Sequence, residues 1–109
     1  MTPGRPARLA APLAVALALA ACQDQAASDP AAERGRQVYL GQCTACHASD
    51  PAQRGPLGPP VKGSSRPLLE ARVLRGVYPP GYAPKQNTQV MQPMPQLAGQ
   101  IDDLAAYLR

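Results

Sequence analysis

Two cysteines and a histidine stand together in the stretch Cys43-Thr44-Ala45-Cys46-His47. Thiols that are separated by two residues lie on one local turn, so both can add to the vinyl groups of a single haem. The histidine that follows directly is then placed to bind the iron through an imidazole nitrogen. This CxxCH spacing is the signature of c-type haem attachment. The sequence therefore predicts one covalent haem c, attached at Cys43 and Cys46, with His47 as an axial ligand.

Three other kinds of site use cysteines at similar spacing. A structural zinc site usually has four ligands, and this chain contains one histidine and three cysteines. A thioredoxin-like dithiol pair is typical of a CxxC motif near a βαβ pattern, and the sequence has no alternating strand pattern. A simple disulfide is the third alternative. The export signal that precedes the motif favours haem attachment over all three.

A second axial ligand is usual for the haem iron of an electron carrier. Because His47 is the one histidine of the chain, two histidine ligands from this chain are excluded. A methionine thioether is the usual alternative, and it raises the reduction potential. Met1 would be lost with the export signal, which leaves Met91 and Met94. Ligand chemistry alone does not separate these two candidates.

The N-terminal part of the chain has the pattern of an export signal. Two arginines precede an apolar run at positions 9–21, which is too short to span a membrane. The sequence Leu19-Ala20-Ala21-Cys22 resembles a bacterial lipobox, in which the cysteine becomes the first mature residue and receives lipid. We therefore expect a signal peptide over residues 1–21, lipidation of Cys22, and attachment to the periplasmic face of a bacterial membrane.

The predicted mature chain is weakly basic and poor in large apolar residues. Removal of Arg5 and Arg8 lowers the formal net charge from +4 to +2, which gives no argument for a nucleic-acid partner. The sequence contains no phenylalanine, no tryptophan and four tyrosines. Small domains with so little core often need a metal, a disulfide or another covalent staple. A bound haem would supply that apolar centre.

Three helices separated by long loops are predicted to position the motif. Asp29 and Pro30 suit the N-cap and first position of a helix that Gly41 ends or loosens. A second, short helix is expected to start near Ser65–Pro67 and to end at Gly76. The clearest helix is the last segment, positions 100–109, in which apolar residues repeat at helical spacing: Ile101, Leu104, Ala105 and Leu108. Proline and glycine predict loops over 49–65 and 78–95.

Three stretches resemble the class I cytochrome c family, and together they cover most of the predicted mature chain. Gly35 and Tyr39 match the family's first helix, just before the CxxCH motif. The stretch Gly58-Pro59-Pro60-Val61-Lys62-Gly63 resembles the family's Gly-Pro-x-Leu-x-Gly loop. Met94-Pro95, followed by the helix that ends Tyr107-Leu108-Arg109, resembles the methionine loop and the C-terminal helix. The stretch 81–89 matches no part of the family pattern.

The resemblance implies a small all-α cytochrome c fold wrapped around one covalent haem. The implied domain covers residues 30–109, after a lipidated tether over 22–29. Pro59 would accept the hydrogen bond that orients His47, and Met94 would be the second axial ligand, with Met91 as the alternative. Tyr107 would pack near Gly35. Tyr82 and several arginines are candidates for contacts to the haem propionates, without a spacing argument that selects among them.

The expected function is single-electron transfer between respiratory redox proteins, without enzymatic activity. A dehydrogenase, a quinol-oxidising complex or a terminal oxidase would be suitable partners, reached on the membrane through the lipid at Cys22. Two alternatives remain open. The first is a dedicated cytochrome subunit of a larger dehydrogenase or oxidase. The second is a gas-binding or catalytic haem protein, in which the sixth position of the iron would be open.

Overall fold

The computed structural model describes residues 1–4 and 29–109. The predictions of a signal peptide, of a lipidated Cys22 and of the tether up to position 28 lie outside the described residues. Over 29–109 the chain forms helices and no strand. The prediction of a small all-α fold is therefore confirmed.

The first helix, α1, is Pro30–Gln42. The Asp29 side chain accepts a hydrogen bond of 3.0 Å from the Ala31 N–H, and Pro30 occupies the first turn, where its missing N–H costs nothing. The predicted start of this helix at Asp29 and Pro30 therefore agrees with the structure. The helix runs through Gly41 and ends where the Cys43 N–H donates to the Tyr39 carbonyl at 2.9 Å.

The second helical segment changes its type along its length. Its first turn, α2, is Arg66–Leu69, capped by the Ser65 side chain, which accepts from the Leu68 N–H at 3.3 Å. The chain continues as a π-helix over Glu70–Leu74. Gly76 has a φ of +68°, a left-handed conformation that glycine adopts without strain and that ends a helix. The predicted limits of this segment agree with the structure.

The C-terminal segment begins earlier than the sequence pattern indicates. A 3₁₀-helix over Pro95–Gln100 leads into the last helix, α3, which is Ile101–Leu108. The predicted apolar stripe faces the core, because Ile101, Leu104 and Leu108 are buried. Leu97 anchors the 3₁₀-helix in the same core.

The core forms where α1 crosses α3. A Cβ atom added to Gly35 would meet the backbone carbonyl of Asp103 and the Cβ of Tyr107, so the two helices approach backbone to backbone. The rings of Tyr39 and Tyr107 lie 5.5 Å apart between centroids. Leu69 of α2 completes the cluster from the other side. This packing fixes the end of α1, and the CxxCH motif follows directly from that end.

Candidate functional site

The CxxCH motif forms one tight turn at the C-terminal end of α1. The backbone N–H groups of Cys46 and His47 both donate to the Cys43 carbonyl, at 3.2 and 2.9 Å. The two thiols and the imidazole therefore belong to one local unit whose position depends on α1. A second bond holds the turn from outside, since the Tyr39 hydroxyl donates to the Ala48 carbonyl at 2.6 Å.

The imidazole of His47 is held by the loop that follows it. Its Nδ1 lies 2.9 Å from the Pro59 carbonyl oxygen, and because a carbonyl can only accept, Nδ1 carries the proton. Nε2 is therefore the nitrogen with a free lone pair for a metal ion. The loop presses closely on the ring, since a Cβ at Gly58 would lie 2.5 Å from Nδ1. Glycine at this position is what allows the Pro59 carbonyl to reach the ring.

Backbone hydrogen bonds attach the same loop to the CxxCH turn. The N–H groups of Leu57 and Gly58 both donate to the Cys46 carbonyl, at 3.1 and 2.9 Å. A Cβ at Gly55 would run into the backbone of Cys46 and His47. Two glycines therefore let the chain fold back against the histidine that it orients. The sequence motif contained Gly58, whereas nothing in the sequence pointed to the role of Gly55.

An apolar cleft opens beside His47. It encloses about 810 Å³, part of which is open to solvent. Its lining includes Cys46 and His47 of the motif, Leu69 and Val73 of the second helical segment, and Met91 of the loop after that segment. A cleft of this kind suits a flat apolar group, and the donors on its walls are a thiol, an imidazole nitrogen and a thioether. These residues fit a haem that is attached at the CxxCH motif.

Cys43 and Met94 are not among the residues that line this cleft. The Cys43 thiol packs against the helical core, and burial raises its pKa to about 11. Met94 also packs against the core, and its N–H donates to the Val73 carbonyl at 2.6 Å. Of the two candidate methionines, the structure thus places Met91 in the cleft with His47, and Met94 at the start of the 3₁₀-helix.

Four residues on the cleft wall add an aromatic and cationic element. Arg72 lies over the ring of Tyr78, with 4.8 Å between the guanidinium carbon and the ring centroid. Tyr78 stacks on Tyr82 at 5.4 Å and an interplanar angle of 10°. Lys85 donates to the Pro60 carbonyl at 2.7 Å. Tyr82 was a candidate for the haem propionates without a defined place, whereas Tyr78 and Lys85 were not predicted, because the proline-rich loop that holds them follows no recognisable pattern.

No group of three or more His, Cys, Asp or Glu side chains within residues 1–4 and 29–109 is arranged to hold a metal ion. None of the helices in that part of the chain is long and apolar enough to cross a membrane.

Comparison with known proteins links this geometry to one family. A family model described as Cytochrome c matches residues 32–109, which is most of the chain. The match includes the CxxCH turn, the Pro59 loop, both candidate methionines and α3. Neither the curated proteins nor the solved structures gave a significant match.

Proposed function

Because the chain belongs to the cytochrome c family, whose members bind haem and transfer electrons, we propose that it carries single electrons through one haem bound covalently at Cys43 and Cys46. The observation that carries the proposal is the hydrogen bond of 2.9 Å between His47 Nδ1 and the Pro59 carbonyl. That bond turns Nε2 of an already oriented ring toward an apolar cleft. A histidine whose Nδ1–H is bonded to a carbonyl in this way is typical of a metal ligand that binds through Nε2.

The bound haem supplies a one-electron iron couple in this site. Nε2 of His47 would bind the iron, and the Pro59 carbonyl would strengthen the imidazole as a ligand by accepting the hydrogen bond from Nδ1–H. The apolar walls of the cleft exclude water from around the charge, which favours the less charged, reduced state. The residues thus bind, orient and shield the redox centre, and no side chain has to transfer a proton.

We propose Met91 as the second axial ligand, although the family resemblance favours Met94-Pro95. Met91 lines the same cleft as His47. The Met94 backbone is fixed to Val73 at the start of the 3₁₀-helix, and the side chains of both methionines pack against the core. Both residues would offer the same thioether ligand to the iron, so the choice between them depends on their positions.

The proposal extends to the place of the protein in the cell. Cys22 would carry the lipid, and the domain would lie on the periplasmic face of a bacterial membrane within reach of redox partners. A dehydrogenase, a quinol-oxidising complex or a terminal oxidase would be a suitable redox partner at that membrane. The lipobox-like stretch 19–22 and the charges before it support this part of the proposal.

Intact mass and visible spectra of the purified protein test the central claim. We expect the mass of the chain to be increased by one haem that denaturation does not remove, and a low-spin spectrum in both oxidation states. A chain without covalent haem would refute the proposal. A high-spin ferric spectrum with ready binding of carbon monoxide would instead favour a gas-binding or catalytic haem protein.

The ligand assignment is tested with Met91→Leu and Met94→Leu, which keep side-chain volume and remove the sulfur. We expect Met91→Leu to lose the low-spin spectrum and Met94→Leu to keep it. The reverse result would mean that the family resemblance gave the right ligand. Both variants should retain covalent haem, because neither change affects the CxxCH turn.

A further inference from the structure

The charges on the cleft wall all have one sign. Arg72 and Lys85 line the cleft, and no aspartate or glutamate is among the described residues that line it. Arg72 is half-buried and Lys85 is exposed, and a bound group that covered Arg72 further would favour a counter-charge beside it. A haem brings two carboxylates with it. The wall therefore has the charge that one edge of the proposed haem requires.

Arg72 is held by groups that leave its charge uncompensated. Its guanidinium donates to the Gly76 carbonyl at 2.6 Å and lies over the Tyr78 ring. It takes part in none of the ion pairs formed within residues 29–109. By contrast Arg75, on the same segment, pairs with Glu70 at 3.4 Å. Arg72 is thus held in place without forming an ion pair with a carboxylate.

The tyrosine stack explains how Arg72 keeps this position. Tyr78 contacts both the guanidinium of Arg72 and the ring of Tyr82, so one aromatic ring connects Arg72 to the segment that holds Tyr82. Tyr82 belongs to the stretch that matches no part of the family pattern. An arginine that is already held by a hydrogen bond and by an aromatic ring loses little freedom when it binds a carboxylate.

We propose that Arg72, positioned by Tyr78 and Tyr82, binds a carboxylate of the haem and thereby raises the reduction potential. The inference rests on the proposed function. A cation near the iron favours the reduced state, which has one positive charge fewer. When the cation is removed, the carboxylate regains its full charge and favours the oxidised state. The equilibrium constant for reduction should therefore fall when Arg72 loses its charge.

Redox titration of three holoprotein variants tests this inference. We expect Arg72→Gln to lower the equilibrium constant for reduction about threefold or more, as an interaction between partly shielded charges requires. Arg72→Lys should restore most of the lost potential. Arg75→Gln, which removes an exposed cation three positions away that already has Glu70 as its partner, should leave the potential unchanged.

The pH dependence of the reduction potential distinguishes a direct contact between Arg72 and a haem carboxylate from an effect of the Arg72 charge at a distance. A carboxylate without its cation takes up a proton at higher pH, so the potential of Arg72→Gln should fall with rising pH where the wild-type potential is flat. The other ionisable side chains on the cleft wall are those of Cys46, His47, Tyr78, Tyr82 and Lys85. They are unchanged in all three variants.

Two results would overturn the inference. One is a potential of Arg72→Gln equal to that of Arg75→Gln, and the other is an equal loss in Arg72→Lys and Arg72→Gln, which would indicate a structural effect. Both are measured on protein whose mass and low-spin spectrum show one attached haem. A chain that lacks covalent haem would refute the proposed function itself, so the two failures are distinguishable.

Discussion

The helix crossing and the outer cleft wall are built by different means. At the crossing, α1 and α3 meet with their backbones in contact at Gly35, and Tyr39 keeps 1% of its surface exposed. The outer wall, positions 78–90, has no helix or strand and ends at Val90, which is 59% exposed. Side chains such as Lys85 attach it to its neighbours. The crossing is completed by the chain itself, whereas the wall needs a bound group to cover its inner face.

The largest expected effect comes from removing the group that completes the wall. In Cys43→Ser/Cys46→Ser no thioether can form, and the apolar sides of the cleft face water. We expect a loss of about 5 kcal/mol or more in the free energy of unfolding, which is comparable to the whole stability of a small domain. Denaturant titration measures the loss.

Hydrogen exchange on the same double variant checks the comparison directly. We expect amides at 78–90 to lose protection before those of α1 and α3. If the outer wall stayed as protected as the crossing without haem, the wall would be self-supporting and the distinction between the two regions would be wrong.

The crossing is sensitive to a single added side chain. Gly35→Val places atoms against the Asp103 carbonyl, so the helices have to separate, and we expect a loss of about 3 kcal/mol. Gly41→Ala is the matched control, because nothing lies within 4 Å of its Cβ position on the same helix. The control should be stabilised by about 0.5–1 kcal/mol. Thermal unfolding of the two holoproteins measures both effects.

Tyr39 connects the two regions, because its ring lies in the crossing and its hydroxyl bonds the chain just after His47. Tyr39→Phe removes the 2.6 Å bond to the Ala48 carbonyl and should cost about 1–2 kcal/mol. Burial raises the pKa of Tyr39 to about 12.

The raised pKa of Tyr39 predicts how stability depends on alkaline pH. The folded state keeps the phenol neutral, whereas the unfolded chain ionises it near its ordinary pKa of about 10. Stability is therefore lost as the pH rises from about 10 toward about 12. We expect this alkaline loss to be smaller in Tyr39→Phe, measured by urea unfolding at a series of pH values. Equal losses in both proteins would contradict the assignment to Tyr39.

The smallest effect is expected in the outer wall. Lys85→Met keeps the apolar stem and removes the hydrogen bond to the Pro60 carbonyl, which lies at the surface, so the loss should be below about 1 kcal/mol. Faster hydrogen exchange should be confined to positions 78–90. Lys62→Met, a change of the same type at an exposed position, should leave that exchange unaltered. Faster exchange in α1 as well would mean that the wall supports the crossing.

The helices were predictable because their signals are local. Asp29 and Pro30 define the start of α1, Gly76 ends the second segment, and the apolar stripe of α3 repeats at helical spacing. The 3₁₀-helix at Pro95–Gln100 was not predicted, since Leu97 is its one buried residue and no period can be read from one position. The change from α- to π-helix within 66–74 likewise has no signature in the sequence.

The site was predictable where it lies close to the motif. His47 and Pro59 are twelve positions apart in a loop rich in glycine, and the family pattern implied their contact. Tyr78 and Lys85 were missed, because their places depend on how a proline-rich segment crosses the cleft. The choice between Met91 and Met94 could not be made from the sequence for the same reason, since the methionine that lies in the cleft depends on the path of this proline-rich segment.

The close contact of Gly58 with the imidazole has a consequence for ligand exchange. The His47 ring is bonded to the Pro59 carbonyl and lies against the backbone at Gly58, and these two contacts favour one rotamer. Its conformational entropy is lost when the loop folds, before any metal is bound. If the haem is bound as proposed, exogenous ligands such as cyanide should replace the methionine, and the histidine should stay bound throughout.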